Sequence, residues 1–299
     1  MRGHHHFLQG TILAFIFFFV IVLTIGKGET YLESILIVIP LFIFLGSIYP
    51  DTDERNSEIF RLNSRNWFLL IISIFYAIIA YPLRWLIFWP TYYLTKKCLP
   101  LKYKQNIQVT HRNFNHSFFG IFMAAMVLFI VLSVINYLFE KDHFTLALIQ
   151  ITSLLTLTIV IGFFIGGFLH LLQDVYSMGG LFVLFPFSNL KISGDYSSRD
   201  YTDKMDRRIT ILLFVFLIFC QPIFAYIITH SPSNSLAIRT VWLVAVSAIL
   251  IIYLSFGIKY RVIISNWENK VVNLRKFFIS AIVILVLLNI LNYILFIEL

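Results

Sequence analysis

Long apolar runs, separated by short polar loops, confine this chain more than any other feature. They fall near 7–26, 32–48, 67–94, 118–139, 146–172, 209–229, 235–257 and 277–297. A helix needs roughly 20 apolar residues to cross about 30 Å of hydrocarbon. No single soluble core absorbs so many such runs. Composition agrees, with 59% hydrophobic and 13% charged residues and a mean hydropathy of +0.86, whereas soluble domains carry about a quarter charged residues. The pattern predicts an all-α fold, a polytopic membrane helical bundle of about seven spanning helices.

The third run, 67–94, is the exception. It holds Pro82 and Arg84 in its middle and ends in the aromatic stretch "RWLIFWPTYY". Proline removes a helix hydrogen bond and kinks the chain, and Trp and Tyr favour the membrane–water interface. This segment is expected to be a re-entrant hairpin or an interfacial helix that leaves on the side it entered. All of the 23 Lys and Arg residues except Lys27, Lys141 and Arg239 then share one face with the N-terminus. The positive-inside rule makes that face cytoplasmic and puts the C-terminus outside, in a multi-pass plasma-membrane protein.

The net charge of +8 thus reports topology. Basic residues scattered through short loops offer no nucleic-acid surface, and the expected surroundings are the lipid bilayer. Cys98 and Cys220 supply neither a disulfide framework nor a Cys-x-x-Cys metal knuckle. No small-residue cleavage pattern follows the first run, which reads as a retained helix. The loop 173–208 is expected to cap the cytoplasmic face. It divides a membrane-embedded core, 1–190, from 191–299, a cytoplasmic loop followed by three further helices.

Four polar islands lie on the cytoplasmic side of this topology: His6 before the first span, "YPDTD" (49–53) after the second, "HRNFNHS" (111–117) before the fourth, and "HLLQD" (170–174) ending the fifth. Ionisable groups at a membrane boundary are costly unless paired or bound to a metal. His170 and Asp174, four residues apart, share a helical face. Pro50 ends the second helix and presents Asp51 and Asp53 from a turn. His111 and His116 flank the entrance to the fourth span, Arg112 offers a forked donor for phosphate or carboxylate, and Ser117 is placed to cap the following helix. Gly166 and Gly167 suggest close helix packing. Each island alone reads as an ordinary polar helix end. Four on one face point to a metal site, with His6, Asp51, Asp53, His111, His116, His170 and Asp174 as candidate ligands. His143 and His230 read as plain loop residues.

In order, His6-x-x-x-Gly10, Pro50-Asp51-x-Asp53, His111-Arg112-x-x-x-His116-Ser117 and His170-x-x-x-Asp174, followed by Pro186, resemble the YdjM family. That family, also called DUF457, is described as membrane-bound metal-dependent hydrolases. The resemblance covers about 4–190 and leaves out the last hundred residues. It departs from the pattern at Asn113, which replaces a small residue, and in the long insertion 54–110. The ligand order is also similar to that of zinc-dependent phospholipase C and single-strand nucleases of the P1 type. That likeness implies that Asp174 bridges two ions, one of them also held by an Asp of "PDTD", a loop His and His170, the other by His6.

The expected function is a hydrolase with one or two divalent ions, Zn first and Mn or Fe next. Asp51 or Asp53 serves as general base or ligand, and Arg112 steadies an anionic group. The site's depth points to an amphiphilic or phosphorylated small-molecule substrate, such as a phosphate ester of a lipid. Lipid phosphatases of the PAP2 type need an Arg where Phe164 stands, six residues before His170. The alternatives are a structural or regulatory metalloprotein and a metal transporter. Transport calls for charged residues within several spans, and the interiors of 118–139, 209–229, 235–257 and 277–297 carry none.

Overall fold

The computed structural model describes residues 3–25, 38–53, 74, 77–104, 114–140, 146–188, 190–197, 205–230, 234–265 and 271–298. Helix α1 (Gly3–Ile25) precedes α2 (Val38–Ile48), which tightens into a 3-10 turn, Tyr49–Asp53. Residues 77–98 are helical throughout: a first α stretch, a π-helical turn at Arg84–Phe88, and α3 (Trp89–Cys98). There follow α4 (Leu101–Lys104), α5 (Phe118–Glu140), α6 (Leu146–Asp174), α7 (Met205–His230), α8 (Asn234–Lys259) and α9 (Arg275–Glu298).

Among the described residues, five segments are long and apolar enough to cross a membrane: Phe118–Leu138, Thr152–Asp174, Arg207–Ile227, Ala237–Lys259 and Arg275–Ile294. Two further apolar helices, Leu8–Ile21 and Val38–Thr52, are shorter over their described residues and coincide with the first two expected spans. Within 77–98 the chain does not reverse at Pro82, so no hairpin turns there; residues 67–73, 75 and 76 lie outside the described residues. The wide π turn follows directly on the proline, where helices commonly adjust to a missing N–H. Ala80, Arg84, Phe88 and Thr95 face inward, while Ile78, Tyr81, Trp85 and Tyr93 face outward.

The all-α expectation needs one correction. A four-stranded antiparallel sheet joins β1 (Leu181–Phe182), β2 (Lys191–Ser193), β3 (Ile263–Ser265) and β4 (Val271–Asn273) in that order. Strands this short carry no readable periodicity, but β3 and β4 are rich in the β-branched residues that suit a pleated surface. The pairing Ile192↔Ile264 ties the loop after α6 to the connection between α8 and α9. The core also runs across residue 190: Leu13, Ile16, Ile43 and Leu169 pack in one cluster with Leu213, Ile249 and Tyr253.

Helices α2 and α6 run parallel. A Cβ on Gly162 would meet the Ile39 carbonyl, one on Gly166 the Ile43 carbonyl, and one on Gly46 the Phe163 carbonyl. Small residues at four-residue spacing let two membrane helices touch backbone to backbone, as the paired glycines suggested. Helix α5 lies antiparallel to α6, with Ile121 against Gly167 and Asn136 bonded to Thr152 and Thr156. Helix α1 places Gly10 against Ser47 and Gln9 beside Thr210, Nε2 donating to Oγ1 at 3.3 Å. Gln173 Nε2 donates to the Tyr253 hydroxyl at 3.1 Å. The starts of α1, α5 and α7 and the ends of α2, α6 and α8 therefore gather at one end of the bundle.

Candidate metal centre

At that end, three backbone devices position the polar side chains. Pro50, the second residue of the 3-10 turn, needs no N–H partner there, and Thr52 Oγ1 donates to the Tyr49 carbonyl at 2.7 Å, closing the turn with Asp51 buried. Ser117 caps α5 as expected: its Oγ accepts from Gly120 N at 2.9 Å and donates to the Phe114 carbonyl at 2.6 Å. This fixes His116, the preceding residue. On the last turn of α6, His170 and Asp174 lie one above the other, and Ser177 Oγ closes the helix end on the Asp174 carbonyl at 2.8 Å.

The result is a ring of alternating imidazoles and carboxylates. His116 Nε2 lies 3.4 Å from Asp51 Oδ1 and 3.5 Å from Asp174 Oδ2. His170 Nε2 lies 3.7 Å and 3.5 Å from the same two oxygens. Both histidines are fully buried, Asp51 is 5% exposed and Asp174 2%. The two rings meet edge to face with centroids 5.2 Å apart. The ligand atoms of Asp51, His116 and His170 all lie within 4.8 Å of one another, and Asp174 borders both imidazoles.

These residues fit a metal ion. Separations of 3.4–3.7 Å exceed the usual hydrogen-bond range of about 2.7–3.2 Å. They are close to the edge of a tetrahedron, about 3.3 Å, for ligand bonds near 2.0–2.1 Å. Two carboxylates drawn out of water need compensating positive charge, and a divalent cation supplies it. The Ser47 carbonyl lies 2.7 Å from His170 Nδ1, so Nδ1–H donates outward and Nε2 faces the centre, the outer-shell arrangement common to metal-ligating histidines. The C-termini of the parallel helices α2 and α6 both end here, and their dipoles favour a cation.

Further supports outside the ring were not read as site residues from the sequence, where Arg84 figured only as an interruption of the third run. Arg84, 6% exposed, donates through Nη1 to the Thr52 carbonyl at 2.9 Å. Its guanidinium lies 5.7 Å from the ring centroids of both Phe88 and Trp89. A lone Arg within an apolar run was the available signal, because intramembrane charges are functional by default. The Tyr49 hydroxyl donates to Asn115 Oδ1 at 3.2 Å, joining the Asp51 turn to the His116 loop. Behind Asp174, the Tyr176 hydroxyl donates to the Tyr253 carbonyl at 2.7 Å. Burial, with Tyr253 adding to it, pushes the Tyr176 pKa well above its usual value and keeps it a donor. The Ser47 carbonyl had no sequence signal, since any residue carries one.

Asp51, His116, His170 and Asp174 are thus brought together. His6 lies on α1 one turn before Gly10, and Asp53 ends the 3-10 turn; the side chains of both lie outside the described residues, as do His111, Arg112 and His143. His230 is in the last turn of α7 rather than a loop, stacked on Tyr226 at 4.1 Å. Cys98 and Cys220 form no disulfide.

Fold and site together define a helical membrane protein with a buried imidazole–carboxylate cluster able to hold a metal ion. The profile of the YdjM inner membrane protein family matches residues 1–264, and the chain belongs to that family. The match runs well beyond residue 190, where the motif likeness ends, and takes in α7, α8 and the start of β3. These elements carry no polar motif; their tie to the rest is the shared core and sheet. No curated protein and no solved structure matches the chain.

Proposed function

We propose that this protein is a membrane-bound metal-dependent hydrolase acting at the cytoplasmic membrane surface on a phosphate ester or similar amphiphile. The observation that carries the reading is the ring of two imidazoles and two carboxylates, with donors held 3.4–3.7 Å apart. One or two divalent ions suit such a set, Zn first, then Mn or Fe. Bound there, an ion supplies Lewis acidity and lowers the pKa of a coordinated water from about 16 toward 7.

The chain's own residues do the remainder. Asp51, whose Oδ1 faces both imidazoles, takes the ligand role with His116, His170 and Asp174. Asp53, two residues on, is then the base that accepts the water's proton. Arg112 would hold the anionic group, and His6 and His111 are the further candidate ligands should a second ion bind. Seven crossings put the N-terminus and the centre inside and the C-terminus outside, with 1–190 carrying the centre and 191–299 backing it. Full burial of both histidines favours a second reading, a structural ion in a closed site.

Elemental analysis of detergent-purified wild type and the His170→Ala/Asp174→Ala variant, each tagged at the C-terminus, tests the reading. We expect near-stoichiometric zinc, manganese or iron in wild type and none in the variant, with hydrolysis of lipid phosphate esters lost at least 100-fold. Negligible metal in both after reconstitution overturns the metal centre. Stoichiometric metal without hydrolysis across phosphate esters leaves the structural reading.

A further inference from the structure

We propose that the groove between the start of α7 and the end of α8 binds an anionic phospholipid. Arg208, Ile211 and Leu212 on α7 face Ser255, Phe256 and Lys259 on α8 across about 440 Å³. The spacings i, i+3, i+4 and i, i+1, i+4 put each trio on one helix face. The spans begin at Arg207 and end at Lys259, so both cations stand where hydrocarbon gives way to headgroups. Below them the walls are apolar, with Ile211 and Leu212 exposed.

Both charged residues that line the groove are cations. Arg208 supplies a forked donor suited to a phosphodiester, Lys259 a point charge and Ser255 a hydroxyl. The Lys259 ammonium lies 5.9 Å from the Phe256 ring centroid and 5.2 Å from that of Tyr260, which holds it at the mouth. Neither 207–227 nor 237–259 contains an Asp or Glu, and Asp206 precedes them in the first turn of α7. Asp195, an exposed carboxylate, is tied to this end through its backbone N–H, 2.9 Å from the Tyr260 carbonyl. A zwitterionic lipid would press its own cation against Arg208 and Lys259, whereas a glycerol headgroup would not. A soluble phosphate gains nothing from Ile211, Leu212 and Phe256.

A second groove provides an internal control. Between α8 and α9 lies a space of about 390 Å³ lined by Ala248, Ile251 and Ile290 among others, with no charged residue. It offers a lipid tail a seat but a headgroup no counter-charge. Basic pockets between spans, by contrast, are recurrent sites for acidic headgroups.

Native mass spectrometry of the full-length protein, titrated with phosphatidylglycerol, phosphatidylcholine or inorganic phosphate, tests the assignment. Wild type should retain one phosphatidylglycerol at least tenfold more strongly than phosphatidylcholine. Arg208→Gln/Lys259→Gln should lose that preference, by roughly fivefold for each cation removed. Arg208→Lys/Lys259→Arg should keep it, as should Arg239→Gln, a cation at the other end of α8. Equal phosphatidylglycerol retention by wild type and the double Gln variant overturns the proposal. So does equal binding of the two lipids, or displacement of phosphatidylglycerol by millimolar inorganic phosphate, which would mark a site for soluble anions.

Discussion

Helix α6 carries a polar cluster at each end. At one, Asn136 of α5 donates through Nδ2 to the Thr152 carbonyl at 3.2 Å and the Thr156 hydroxyl at 2.7 Å. At the other, His116 and His170 each face Asp51 and Asp174 at 3.4–3.7 Å. The first is neutral, made of the polar contacts that glue membrane helices. The second brings two imidazoles and two carboxylates together at His–Asp separations that suit a cation among them. A hydrogen-bonding cluster draws its members together; a cation site is built to keep its donors apart.

Three substitutions break or sharpen this contrast. The largest effect is expected from Gly166→Leu, which drives a side chain into the Ile43 backbone and opens the α2–α6 seam. Overpacking costs about 1–3 kcal/mol or more, and here it also moves the Ser47 carbonyl off His170. Both the thermal midpoint and bound metal should fall. A variant of wild-type stability that keeps its metal would show that the seam does not set the site. Next is Arg84→Gln, which removes the buried guanidinium that holds the Thr52 carbonyl. Supports outside the ligand shell are typically worth 10–100-fold in metal affinity, so competition with a chelator should show a loss in that range with helix content unchanged. Smallest is Asn136→Leu: about 0.6 kcal/mol of stability and no change in metal content. Metal loss here would mean that the two ends of α6 are coupled.

The long apolar runs made the spans legible: 118–139 is α5 to within a residue, and 235–257 is the body of α8. Continuous hydropathy over twenty residues leaves a helix as the only way to satisfy the backbone in lipid. His170 and Asp174 were legible because helical spacing alone makes them neighbours, and Ser117 because capping is local. The distances from His116 and Asp51 to that pair were not, since they depend on the glycine seam and on Tyr49 meeting Asn115. The sheet escaped as well, because three-residue strands mean nothing until their partners are known. The tie of α7 and α8 to the core was hidden for a different reason: contacts among Leu213, Ile249 and Leu13 look like any other apolar residues in the sequence.

The sheet also sets an order in time. A chain made from its N-terminus has Lys191–Ser193 long before Ile263–Ser265, the strand it pairs with. The segment that follows Asp174 can acquire that partner only after α7 and α8 have been synthesised. The end of the molecule that carries the four donors is therefore completed late, by residues made long after the donors themselves.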